Sequence, residues 1–176
     1  KTILSDRELG FVGDNIVGVI TNLDMKYLNF IGELAVLVVI KEQTKWTLTG
    51  TEVKNEVEKR IDFEFESDKG RKVKVEIVNI HLTREIGEDD AEIEKFVTKR
   101  VEDKKMAKTN NYSTQVDFII APVIWGPIAE LKKISNYLKR NPWTIPMTLK
   151  PTAFMNFTDE TGNMFQKFKD LETIFD

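Results

Sequence analysis

The fold is decided by residues 61–77, which read IDFEFESDKGRKVKVEI. Apolar and charged residues alternate on both sides of Ser67-Asp68-Lys69-Gly70, a polar stretch with the composition of a turn. One register satisfies both faces at once, and it pairs Phe65 with Val73, Phe63 with Val75, Glu66 with Lys72 and Glu64 with Lys74. The stretch is therefore predicted to be an antiparallel β-hairpin with one apolar and one charged face.

The residues before the hairpin predict helices followed by a strand. Ser5 and Glu8 have the spacing of a capping box, and an apolar helical stripe follows to Leu23, in which Gly13 marks a place where the helix can break. Residues 24–49 are ambiguous, because the β-branched run at Val36, Val38, Val39 and Ile40 would suit a buried strand, but the apolar spacing favours a helix and then a strand near Trp46. Gly50 is interpreted as a break, and residues 51–60 as a loop or one helical turn.

The residues after the hairpin predict further strands and helices, with a densely charged segment among them. The second hairpin strand continues to Leu82, and the change of alternation at Ile77-Val78 indicates a bulge or the end of pairing. Residues 84–111 are densely charged and are expected to form a protruding arm. The remaining predicted elements are a strand over 112–125, a helix from Gly126-Pro127 to Asn141-Pro142, a strand over 143–149 and a helix over 158–171. Pro122 places its end of the first of these strands at a sheet edge or beyond the last ladder hydrogen bond.

These elements predict one α+β domain over residues 1–176. Its core is a mixed or antiparallel β-sheet that contains the hairpin, flanked by helices that we expect on one side, with the long charged arm projecting from it. A chain of 176 residues is long enough for one such core.

Composition excludes several classes of function. The chain has no cysteine and one histidine, which excludes a disulfide framework, a thiolate site and a zinc site built on several imidazoles. The formal charge is −3, so specific nucleic-acid binding is not expected, and the longest apolar run, residues 34–40, is too short for a membrane span. We expect a soluble protein of the cytoplasm without cofactor or metal.

The candidate catalytic residues are few. His81 lies near a strand end without a nucleophile or second imidazole at a recognisable spacing, and is expected to be a surface or edge residue. The acidic run that contains Glu88, Asp89, Asp90, Glu92 and Glu94 lacks the spacing of a calcium loop and is expected to be solvated. Asp62, Glu64 and Glu66 share a strand face and suggest a metal-dependent nuclease, although the hairpin register gives them lysine partners.

From residue 61 to about 175 the order of elements resembles the tail terminator, or tail cap, proteins of phages and contractile injection particles. The similar features are the strand ending in Ile77-Val78-Asn79-Ile80, the charged excursion, the strand Val116 to Pro122, the helix that ends at Asn141-Pro142, and the last strand and helix around Phe165 to Leu171. Residues 24–60 depart from that pattern.

The resemblance implies a structural virion protein and not an enzyme. It would assemble in the host cytoplasm as a homo-oligomeric ring, most simply a hexamer, that caps the tail tube and joins it to sheath or connector proteins in the virion tail. Subunit contacts are expected from the arm and its flank, at Arg84, Glu85, Ile93, Phe96, Val97 and Arg100. The alternatives are a metal-dependent nuclease, in which Asp62, Glu64 or the acidic run converge, and a small monomeric adaptor or inhibitor.

Overall fold

A computed structural model describes residues 3–21, 26–54, 60–83, 85–87, 89–109 and 117–141. Its elements in chain order are α1 (Asp6–Phe11), α2 (Gly13–Thr21), α3 (Tyr27–Gln43), β1 (Thr47–Lys54), β2 (Arg60–Glu66), β3 (Lys72–His81), α4 (Asp90–Thr109), β4 (Asp117–Trp125) and α5 (Ile128–Arg140). The predicted strand over 143–149 and helix over 158–171 lie outside the described residues.

The strands form a four-stranded mixed sheet in the order β1-β2-β3-β4. The first three strands are antiparallel neighbours, whereas β4 runs parallel to β3 because the chain crosses over through α4 before it returns. The hairpin register is confirmed at all four predicted pairs, from Glu66–Lys72 to Phe63–Val75. Pro122 lies opposite Val78 in β4, an edge strand of the described sheet, as predicted.

Helices cover both faces of the sheet, which corrects the expectation of helices on one side. One face packs its alternate residues, including Phe63, Phe65 and Val75, against α3 and Val12. The other packs Val78 and Ile80 against α4 and α5. The change of alternation at Ile77-Val78 follows from this two-sided burial, since Ile77 belongs to the first cluster and Val78 to the second.

The N-terminal helices form largely as predicted. The capping box of Ser5 and Glu8 is present, and the first helical stretch breaks into α1 and α2 at Val12, next to Gly13. The helix followed by a strand is confirmed in α3 and β1. The interpretation of Gly50 as a break is wrong, because β1 continues through it to Lys54 with a register shift between Leu48 and Gly50.

The charged segment 84–111 is a docked element over most of its described length, which corrects the protruding arm. Residues 90–109 form α4, and its Ile93 and Val101 are buried against the sheet and α5. The sequence obscured this packing because only a few apolar residues of α4 face the core, and charged residues occupy the rest of the helix. The helix from Pro127 to Asn141 is confirmed as α5, with Leu131, Ile134 and Tyr137 buried.

Candidate metal-binding site where two strands separate

The candidate site lies where β2 and β3 stop pairing. The paired residues run from Glu66–Lys72 to Phe63–Val75, and the next position along the same register places Asp62 opposite Glu76. Oδ2 of Asp62 accepts a hydrogen bond from the backbone N–H of Ile77 at 2.6 Å. At this position the side chain of Asp62, and not the backbone of β2, accepts the hydrogen bond from an N–H of β3. We call the position the strand fork and define it by Asp62 and Glu76.

Glu76 is fully buried at the strand fork. Alternation along β3 puts it on the same face as Val78 and Ile80, the face that α4 covers. Lys104 of α4 reaches it there, with Nζ 2.7 Å from Oε1, while about a third of the lysine side chain, 32%, stays exposed. Burial of a carboxylate requires a compensating charge, and Lys104 supplies it from a different element.

Glu33 adds a third carboxylate from α3. Burial is the main cause that raises the pKa of Glu33 to about 8; the negative charges of Asp62, Glu52 and Glu76 contribute to this rise, and Lys104 opposes it. The side-chain amide of Asn15 donates a hydrogen bond to Oε2 of Glu33. A carboxyl group whose pKa responds to both strand-fork carboxylates and to Lys104 lies in their electrostatic neighbourhood.

Three elements therefore place Asp62, Glu76 and Lys104 at or beside the strand fork, and Glu33 of α3 lies within electrostatic reach of them. Carboxylate oxygens are the ligands of Mg²⁺, which is usually bound through one or two carboxylates, with water and substrate phosphate oxygens completing its shell. Among the residues that the structure describes, no group of three or more histidine, cysteine or acidic side chains is arranged to hold an ion by itself. At the strand fork Asp62 is the partly exposed carboxylate, whereas Glu76 is enclosed with Lys104.

The acidic residues singled out in the sequence are only partly brought together. Of the strand trio, Asp62 reaches the strand fork. Glu64 instead lies 3.3 Å from Thr49 Oγ1 and 3.9 Å from Lys72 Nζ, and Glu66 is exposed opposite Lys72. The hypothesis that Glu64 joins Asp62 in a metal site is therefore wrong.

The acidic run also lies away from the strand fork. Asp90 begins α4 and pairs with Arg140 of α5, with Oδ1 and Nη2 2.6 Å apart. Glu92 and Glu94 are exposed on the same helix. Glu88 lies outside the described residues.

Three residues of the site were not singled out from the sequence. Glu33 stands in an apolar helix, and Lys104 stands among other lysines of a charged helix. Glu76 continues the charged alternation of the hairpin, which predicts an exposed side chain. The signal that could have located it is the change of alternation just after it, because two-sided burial there encloses Glu76.

The predicted subunit-contact residues occupy different environments. Glu85 and Arg100 are exposed, Phe96 is partly buried, and Ile93 is buried in the second core cluster. Arg84 and the side chain of Val97 lie outside the described residues. His81, at the end of β3, places Nε2 2.9 Å from Oδ1 of Asn29.

Neither protein-family models nor curated proteins reveal a relative of this chain. The resemblance to tail terminators therefore stays a prediction. None of the described helices has the length and apolar character that crossing a bilayer requires.

Proposed function

We propose that this protein is a metal-dependent nuclease, which hydrolyses phosphodiester bonds at the strand fork. The observation that carries the proposal is the proximity of Asp62 of β2 to Glu76 of β3 and Lys104 of α4 at the strand fork. Nuclease chemistry was an alternative in the sequence, and the grouping of these residues supports it over a role without catalysis.

The residue types suit the reaction. Asp62 and Glu76 would hold a divalent cation, which supplies Lewis-acid stabilisation of the phosphoryl oxygens and a more acidic bound water. Lys104 can neutralise the extra negative charge that a phosphodiester gains as water attacks it. Glu33 can accept a proton or a water hydrogen bond once it is ionised, and a bound cation would favour its ionised form.

The basic side chains near the site favour nucleic acid as the substrate. Lys95, Lys99 and Arg100 are exposed on the helix that carries Lys104, among the exposed acids Glu92, Glu94, Glu102 and Asp103. The whole chain is slightly acidic, at −3, so a local group of cations is the form in which such a protein can attract a polyanion.

The test is cleavage by the purified full chain. Single-stranded and duplex DNA and RNA should be incubated with Mg²⁺, Mn²⁺ or a chelator, with wild type, Asp62→Asn and the matched control Glu66→Gln. Cleavage should require metal, fall by at least about 100-fold in Asp62→Asn and stay near wild type in Glu66→Gln. Thermal melting confirms that each variant is folded. No cleavage of any substrate, or equal cleavage by Asp62→Asn, would overturn the proposal.

The ring-forming tail terminator and the absence of catalysis, both expected from the sequence, stay predictions that these contacts do not test. The monomeric adaptor or inhibitor likewise stays a prediction. Assembly of the purified protein separates these roles from one another, and cleavage separates all of them from the nuclease.

A further inference from the structure

A cavity of about 640 Å³ lies between the N-terminal half of α4 and the segment that follows β3. We call it the α4 cavity. The residues that matter for its chemistry are Phe96, the three cations Lys95, Lys99 and Arg100, and the three acids Glu85, Glu92 and Asp103. Its volume falls within the range of small-molecule sites, roughly 300–1,000 Å³.

The α4 cavity carries cations that are available to a ligand. Within the described ranges, the side chains of Lys95, Lys99 and Arg100 take part in no hydrogen bond or ion pair, and all are exposed. The carboxylate of Glu92 is turned toward the backbone of Gly87, since a Cβ on Gly87 would lie 2.0 Å from its Oε2. Glu85 is exposed on the opposite wall.

Both signs of charge and an aromatic ring therefore line one cavity. A groove that only follows a phosphate backbone is positively charged throughout, with rings for stacking. A nucleotide is different, because it combines an anionic phosphate, a flat base and amino or imino donors on the base edge. Carboxylates recognise such donors, as in the contact of Glu or Asp with cytosine N4.

Residues of the α4 cavity and Lys104 of the strand fork lie on the same helix. Arg100 precedes Lys104 by one turn, about 6 Å along the axis, and Lys95 precedes it by about 14 Å at 1.5 Å per residue. A strand whose phosphate lies beside Lys104 would thus reach the cavity with a neighbouring nucleotide.

We propose that the α4 cavity binds one unpaired nucleotide of the substrate strand next to the bond that is cleaved, an inference that rests on the proposed nuclease function. Its phosphate contacts Lys99 and Arg100, its base stacks on Phe96, and Glu92 or Glu85 accepts hydrogen bonds from the base edge. The preferred substrate is accordingly single-stranded, or has a single-stranded segment.

Binding without cleavage tests this inference. Fluorescence anisotropy with a labelled 12-nucleotide single-stranded DNA and its duplex, in a chelating buffer, should use wild type, Phe96→Leu, Phe96→Tyr, Arg100→Gln and Lys132→Gln. Lys132 is an exposed lysine of α5, away from the cavity lining, and serves as the matched control. Thermal melting checks folding, because Phe96 also packs against the second core cluster.

Phe96→Leu should weaken single-strand binding by about tenfold while Phe96→Tyr stays within about twofold, because tyrosine retains the stacking face. Arg100→Gln should weaken binding and lower the slope of log affinity against log salt by about 0.7, the value for one phosphate contact on a single strand. Lys132→Gln should bind like wild type, and wild type should prefer the single strand to the duplex.

Failure of this inference can be told apart from failure of the nuclease. Wild-type affinity in folded Phe96→Leu and Arg100→Gln, or equal losses for single strand and duplex, would overturn the nucleotide site even where wild type cleaves DNA with Mg²⁺. The expected binding losses without any metal-dependent cleavage would support the nucleotide site and remove the nuclease.

Discussion

Nζ of Lys104 lies 2.7 Å from Oε1 of Glu76, a residue with no exposed surface in the middle of β3. The two residues are 28 positions apart and belong to different layers, so only the packing of α4 on the sheet creates the pair. A core position filled by a charged pair instead of an apolar residue is costly for stability, since well-packed apolar replacements are often neutral or stabilising. A functional site can retain such a destabilising pair because its charges also bind a ligand.

The ion pair gives the first prediction. Lys104→Met should destabilise the fold by about 3 kcal/mol, because the buried carboxylate of Glu76 loses the charge that Lys104 supplies. The double variant with Glu76→Gln should recover most of this loss, since both charges are gone, yet stay inactive in cleavage. Urea unfolding measures the free energy. Lys95→Met, which changes an exposed lysine of the same helix, is the control and should shift stability by less than about 0.5 kcal/mol. A Lys104→Met protein as stable as wild type would contradict the pair's structural role.

Glu33 gives a prediction on pH. Its pKa is raised from 4.5 to about 8 in the folded protein by burial and by the carboxylates around it. Between these two pH values the folded protein keeps a proton that the unfolded chain has lost, so the free energy of unfolding should fall as pH rises through this window and level off above it. Glu33→Gln should remove that part of the decline and be more stable relative to wild type at pH 9 than at pH 5.

Urea unfolding at a series of pH values measures this effect, and Glu42→Gln, an exposed position on the same helix, is its control. Added Mg²⁺ should stabilise wild type more at pH 8 than at pH 5, because the cation binds the ionised carboxylates. A parallel pH dependence in wild type and Glu33→Gln would show that Glu33 ionises normally.

Much of the fold could be predicted from the sequence because local patterns determine it. The hairpin register follows from alternation on both faces, and the Ser5–Glu8 box and Pro127 specify helix starts through local capping and backbone geometry. The site was harder to predict because its residues come from elements that meet only in the tertiary structure. Asp62 could be proposed from its strand, whereas the side chains that complete the site, Glu33 and Lys104, stand in helices whose docking no local pattern predicts.

Glu8 ties the N-terminal helix to the sheet and gives a prediction of opposite sign. Burial raises the pKa of Glu8, but hydrogen bonds from Lys41, Ser5 and the backbone of Leu48 outweigh it and lower the pKa from 4.5 to about 2. The stabilisation is present above pH 4.5 and is lost as pH falls toward 2. Glu8→Gln should cost about 2 kcal/mol at pH 7, allowing for solvent screening, and nothing near pH 2.

Urea unfolding of Glu8→Gln and wild type at neutral and acid pH measures this difference. Asp6→Asn, an exposed acid in the first turn of the same helix, is the control and should have a much smaller effect. A loss of stability in Glu8→Gln that is the same at pH 7 and pH 2 would mean that the charge of Glu8 contributes nothing.

Ile93 separates a core role of α4 from the subunit contact expected by resemblance to tail terminators. Its side chain is 2% exposed and packs in the second core cluster, so Ile93→Ala should cost about 2–4 kcal/mol of unfolding free energy in the isolated chain. Met106→Ala, at an exposed position of the same helix, should cost less than about 0.5 kcal/mol.

If α4 instead mediates ring assembly, Arg100→Glu should dissociate an oligomer that wild type forms. Light scattering and electron microscopy of wild type decide the matter: sixfold rings lost in a folded Arg100→Glu would support the tail terminator, and a monomer at high concentration would exclude it.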